Sequence, residues 1–136
     1  HLAPGVGRVQ PGELLPQLDE KRARRFPDDM NAQNDLAIDL GAIATSHADR
    51  EDYAEAIRLY ERSLVIRRRI SDADPANVYA RSRVAYGHYA LALPYAATGQ
   101  DALGQQHARR AIELYEPLTA IDSGSRMASR QASSMC

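Results

Sequence analysis

Apolar residues recur at three- and four-residue intervals along five stretches of the chain, the spacing that lines one face of an α-helix. The first stretch covers residues 13–25, with Leu14, Leu15, Leu18 and Phe26 as its apolar side. Phe26-Pro27-Asp28-Asp29 then breaks the pattern, and Asp28 or Asp29 suits the cap of the next helix. Residues 30–48 follow, with Leu36, Leu40, Ile43, Ala44 and His47 on one face. The third stretch, 51–71, carries Tyr53, Ala56, Ile57, Tyr60, Leu64 and Ile70. Asp49 is its expected cap, and Arg67, Arg68 and Arg69 are placed where a helix dipole favours cations. Asp74-Pro75 reads as a capping Asp with Pro at the first helical position, which opens a fourth helix over 75–98. Its apolar stripe is Val84, His88, Leu91 and Tyr95; Pro94 should kink its last turn, and Gly99 should close it. The fifth helix is expected over 101–116, packing through Gly104, Ala108, Ala111, Ile112 and Tyr115, with Pro117 ending or bending it.

The stripes repeat. Pro27 and Pro75 stand 48 residues apart, and at the same offset Ala44 maps onto Ala92, Ala56 onto Gly104, Leu64 onto Ile112 and Asp74 onto Asp122. A fixed period of this size marks a stacked repeat architecture. The expected organisation is a flexible lead-in at 1–12, a helical repeat domain at 13–121 and a disordered tail at 122–136. Within the domain, 13–26 is a partial repeat and 27–74 and 75–121 are full ones.

These residues resemble the tetratricopeptide repeat (TPR). The marks are Leu40-Gly41, Tyr53-Ala54-Glu55-Ala56, Tyr60 and Ser63-Leu64 in the first copy, and Gly99, Gly104, Ala108 and Ala111-Ile112 in the second. Small residues let paired helices approach closely, and the aromatic fills the wedge between hairpins. The period of 48 exceeds the family's usual 34 or so, which lengthens both helices. The stretch from Ser63 to Arg69, with Asp74-Pro75-Ala76-Asn77, is similar to long repeats at the C-terminal end of bacterial serine/threonine protein kinases. The chain has no kinase glycine loop, catalytic loop or Asp-Phe-Gly. The resemblance implies an all-α fold: antiparallel helix hairpins stacked as a short right-handed α-solenoid of about five helices. It also implies a non-catalytic protein–protein interaction scaffold.

Composition narrows the rest. The formal net charge of −1 provides no field to draw nucleic acid, and no run of apolar residues spans a bilayer. The one cysteine, Cys136, excludes a disulfide core and a cysteine-ligated metal site. No phosphate loop or nucleophile–base pair appears, so neither an enzyme nor a cofactor is expected. His47, His88 and His107 lack ligand-type neighbours at metal spacing and are expected to pack; no metal is expected. The missing N-terminal Met and the low repeat count point to a piece of a longer chain. The default expectation is the cytoplasm, or outside it if the segment follows a membrane span.

The resemblance places peptide contacts on the first helix of each pair. There the chain offers Asn31, Asn34, Asp35, Ile38 and Thr45, then Tyr79, Arg83, Tyr86, Tyr89 and Leu93. Of these, Asn31, Asn34, Ile38, Tyr79, Arg83, Tyr86 and Tyr89 are the candidate binding residues, rich in the Tyr and Arg that interfaces favour. Packing against a neighbouring helix is the competing reading of the tyrosines. The family's clamp for a terminal carboxylate is not expected, because the single lysine, Lys21, lies off this face. Asp35 and Arg83 stand level, 48 apart, though solvated charges are the plainer reading. Arg67-Arg68-Arg69 is read first as a dipole cap and second as a dock for an acidic partner or phosphate. Ser129 and Ser133 each follow an Arg by three positions, a weak phosphorylation signal. The partner is thus a protein or peptide, with self-association as the alternative.

Overall fold

A computed structural model describes the backbone of residues 11–134 and the side chains of 14–119. Five helices follow one another: α1 (Pro11–Arg25), α2 (Met30–Asp49), α3 (Tyr53–Ala73), α4 (Val78–Ala97) and α5 (Asp101–Ser134). There is no strand among the described residues, so the fold is all-α. Helices pack in chain order, α1 on α2, α2 on α3, α3 on α4 and α4 on α5. Each neighbouring pair runs antiparallel. Ser63 lies against Ala37 and Tyr60 against Thr45, so the partner number rises as the other falls. Arg68 meets His88 and Glu61 meets Tyr95 in the same sense.

Local chemistry explains the helix starts. Asp29 caps α2, accepting from the backbone N–H groups of Asn31 at 3.0 Å and Ala32 at 3.2 Å. Asp49 does not cap α3; it is the last residue of α2. Asp52 takes the cap position, and its carboxylate accepts from His47 Nδ1 at 3.0 Å instead of from the helix backbone. Glu51 bends the chain there with φ 62°. The fourth helix starts three residues later than the Asp74-Pro75 signal suggests. Asp74 accepts from Asn77 N–H at 3.0 Å, so Asp and Pro hold the first two places of a β-turn, which both residues also favour. Asn77 is the cap, accepting from Ala80 N–H at 3.1 Å.

The helix ends differ from expectation twice. α3 runs four residues past Arg69, so the arginine run does not sit in its last turn. α5 continues through Pro117 to Ser134, across most of the segment 122–136 expected as a tail. The lead-in 1–12 lies outside the described residues up to position 10, and Ser129 and Ser133 lie beyond the described side chains. Gly99 ends α4 with φ 79°, and Pro94 stays buried inside that helix.

Leu36, Leu40 and Ala44 of α2 meet Ala56, Leu59, Tyr60, Leu64 and Ile66 of α3, with Val84 and Leu91 of α4 behind them. Leu59 and Ile66 join a core that periodicity assigned to their neighbours. Ile112 leaves it, being 56% exposed. Eight residues after Gly104 carry it about 80° around a helix of 3.6 residues per turn, whereas Ala111 returns to within about 20°. Close approach is built in at two glycines. A Cβ on Gly104 would lie 2.8 Å from the Ala92 carbonyl oxygen, and one on Gly87 2.8 Å from Leu64 Cδ1. Ser63 Oγ donates to the Ala37 carbonyl at 2.8 Å and accepts from Arg67 Nε at 3.0 Å, tying α3 to α2 through a buried polar chain.

Charge accumulates between α1 and α2. Asp35 accepts from Arg22 at 2.7 Å, so it does not pair with Arg83. Asp39 has a buried Oδ2 with no donor. Burial, then Asp19 and Asp35, push its carboxyl up to about 7. Its folded value lies above the ordinary 3.8, so the folded chain holds this proton more tightly. The Asp39 contribution to stability is therefore fully present below about 3.8 and is lost as pH rises through about 7. Asp39→Asn should melt above the wild type at about pH 8, with the gap closing in acid. Thermal melts that stay superimposed across this range would refute it.

Gly104→Ala should destabilise by about 1–3 kcal/mol, because the carbonyl it meets belongs to the backbone. Gly41→Ala, whose nearest contact would be 3.6 Å, should be neutral or stabilising by up to about 1 kcal/mol. Denaturant unfolding of both variants reads the difference.

Candidate binding face

The face begins at the α2 and α4 N-termini. Asn31 and Asn34 are on the first two turns of α2, and Tyr79 and Arg83 on the first two of α4. These four residues line one cleft of about 260 Å³. Met30, Arg67, Ile70, Asn77 and Ala80 complete its wall. Arg67 is the unexpected member. The dipole reading sent it to a solvated helix end, yet it is only 6% exposed and its Nε donates to Ser63. Its side chain is held between α2 and α4. Burial lowers its pKa first, and the Arg83 guanidinium lowers it further. Neither Arg67 nor Arg83 has a carboxylate within 4.0 Å among the described residues. Arg83 Nε is buried without a partner.

Farther along α4 the face becomes aromatic. The Arg83 guanidinium lies 4.6 Å from the Tyr86 ring centre, a cation–π distance. Tyr86 and Tyr89 have ring centres 6.3 Å apart. Tyr89 is 65% exposed and Leu93 70%, so most of each side chain lies open. Tyr115 of α5 joins them. Burial raises its hydroxyl pKa, and Arg83, Tyr86 and Tyr89 all act on it. Ile38 is exposed on α2 but does not line the cleft. Six of the seven candidates thus fall into two groups joined at Arg83, with Ile38 apart. The signal for Arg67 was its spacing of four from Ser63, which places both toward α2. Tyr115 carried no distinguishing signal.

The histidines are not equivalent. His47 is tied to Asp52 at a loop. His88 and His107 meet with Nδ1 atoms 2.9 Å apart, and His107 stacks on Tyr95 at 5.4 Å. Arg68 has only donors, so His88 Nε2 accepts from it at 3.2 Å. His88 Nδ1–H then donates to His107 Nδ1, which leaves the His107 Nε2–H facing Glu61 Oε1 at 3.6 Å. Tyr95 donates to the same Glu61 oxygen at 2.9 Å. The chain of donors and acceptors closes only with both rings neutral. Among the described residues no group of three or more His, Cys, Asp or Glu side chains is placed to hold a metal ion. No described helix is long and apolar enough to cross a membrane.

Compared with known proteins, the chain matches no family model, no curated protein and no solved structure.

Burial, with Arg68 and His107 behind it, pulls His88 down to about 4, and burial lowers His107 too. The unfolded chain therefore takes up protons first as acid is added. The histidine contribution is present above the ordinary value of 6.5 and is lost as pH falls toward about 4. This opposes the effect of Asp39 over much the same range. In an Asp39→Asn background the denaturation midpoint should drop through this window. His88 should stay neutral by imidazole NMR down to about pH 5. A His88 titration centred on the ordinary value would show the donor chain to be wrong.

Proposed function

We propose that the chain is a non-catalytic protein–protein interaction scaffold of the tetratricopeptide type, binding an extended peptide across the α2–α4 face. The observation that carries this reading is the cleft itself. Two guanidiniums with no carboxylate counter-charge among the described residues, Arg67 and Arg83, stand among Asn31, Asn34 and Tyr79. Beside them lie Tyr86, Tyr89 and Leu93, exposed and apolar enough to accept side chains. A matching segment carries an acidic group for the arginines and apolar or aromatic residues for the tyrosine stripe. Charge-assisted bonds fix its register, and the rings supply contact area. Chain-order helix packing and the close approach at Gly104 support the tetratricopeptide and solenoid reading. The similarity of residues 63–77 to kinase-associated repeats extends the proposal to an arm of a larger bacterial signalling protein.

A second reading, self-association, draws on α1. Leu14, Leu15 and Leu18 are each about half exposed, an apolar edge at the start of the stack. Sedimentation velocity separates the two. A monomer at high concentration removes self-association, and a dimer lost on Leu15→Glu and Leu18→Glu supports it.

The scaffold reading is tested by selecting binders from a random peptide library. Arg83→Gln, Tyr86→Ala and Tyr89→Ala should each weaken the selected peptides by roughly tenfold or more, as for central interface anchors. Undiminished binding by all three variants removes this face.

A further inference from the structure

A second cleft shares no lining residue with the first. It lies among α3, α4 and α5 and encloses about 680 Å³. That volume falls within the roughly 300–1,000 Å³ of small-ligand sites. Arg68 reaches it from α3, His88 from α4, and His107, Arg109 and Arg110 from α5. A smaller cleft of about 250 Å³ shares Arg68, His88 and Arg110 and adds Arg81. Two carboxylates line these clefts. Glu113 is already bonded by Arg110 at 3.1 Å, and the other is Asp72. Arg68, Arg81 and Arg109 have no carboxylate within 4.0 Å among the described residues.

Arg68 is the informative residue. Its described hydrogen bond goes to a neutral imidazole nitrogen, a poor substitute for an anion. His88, only 3% exposed, fixes the position of that guanidinium from below. The local field is positive: after burial, the groups that disfavour charge on His88 are Arg68, His107 and Arg110. Guanidiniums from two helices suit a dianion with several oxygens, whereas a carboxylate is satisfied by one bidentate arginine.

We propose that this cleft binds a phosphate monoester, on a small molecule or on a phosphorylated side chain, through Arg68, Arg109 and Arg110. The site is independent of the peptide face: it uses other arginines and a different pair of helices.

The test is an NMR titration of the whole chain, read at the His88 and His107 imidazoles. Three probes are compared at constant ionic strength: inorganic phosphate, glycerol 3-phosphate and N-acetylphosphoserine amide. Chloride is the control. Saturable shifts with phosphate and none with chloride are expected. Tighter binding of phosphoserine than of glycerol phosphate identifies a phosphorylated side chain as the source, and the reverse order a small molecule. Arg68→Gln should weaken binding by roughly tenfold, the worth of one charged hydrogen-bonding group. Arg109→Gln, on an exposed position, gives the same reading should Arg68→Gln not fold. Arg83→Gln should change nothing here, which separates this site from the peptide face. Shifts that match chloride, or that survive both Arg68→Gln and Arg109→Gln, overturn the proposal.

Discussion

At Gly87 the backbone of α4 comes so near α3 that a Cβ would sit 2.8 Å from Leu64 Cδ1. Leu64 is only 1% exposed and occupies the space a side chain at Gly87 would need. This contact sets the register between the two central helices, and much else follows from it. One turn from Leu64 in each direction, Arg68 meets His88 and Glu61 meets Tyr95. Arg67, next to Arg68 but turned about 100° around α3, is sent toward α2 and the start of α4. The two clefts therefore lie on different sides of one helix, and adjacent arginines of one run serve different surfaces.

Counter-charge is the second constraint. The chain carries nearly equal numbers of acids and bases, 18 against 17, yet they are not evenly paired. Carboxylates gather between α1 and α2, where Asp19, Asp35 and Asp39 approach one another. Guanidiniums with no carboxylate partner among the described residues, Arg67, Arg68, Arg83 and Arg109, gather on the clefts along α3, α4 and α5. A balanced composition thus hides local fields of both signs. The acidic side raises the Asp39 pKa, and the basic side helps burial lower that of His88. The two shifts act oppositely on stability over much of the mildly acidic range. A flat pH profile for the whole chain would conceal both.

The candidate face was partly legible. Asn31, Asn34, Tyr79 and Arg83 share a cleft; of these, Asn31 and Tyr79 stand at the 48-residue offset read from the sequence. Arg67 was missed because a run of three arginines near a helix end reads as a solvated cap. Only the helix's extension to Ala73 and the depth of the α2 contact show otherwise. The Asp74-Pro75 signal is ambiguous for a physical reason: the same pair opens helices and β-turns. Asp35 and Arg83, level in the repeat comparison and read first as solvated charges, do not pair; Arg22, on a helix outside that comparison, reaches Asp35 instead.

By itself the sequence determined five helices, most of their boundaries and the core stripes through Leu36, Leu40, Leu64, Val84 and Leu91. These are periodic, short-range properties, and hydrophobic spacing with capping residues specifies them. Tertiary structure alone decided which buried and half-buried polar groups meet. His88 and His107, Arg67 and Arg83, and Asp19 and Asp39 come together through the rotation of one helix against the next. A small rotation selects a different partner, and local spacing carries no record of it. That rotation is fixed where helices approach most closely, at Gly87 against the Leu64 side chain and at Gly104 against the α4 backbone.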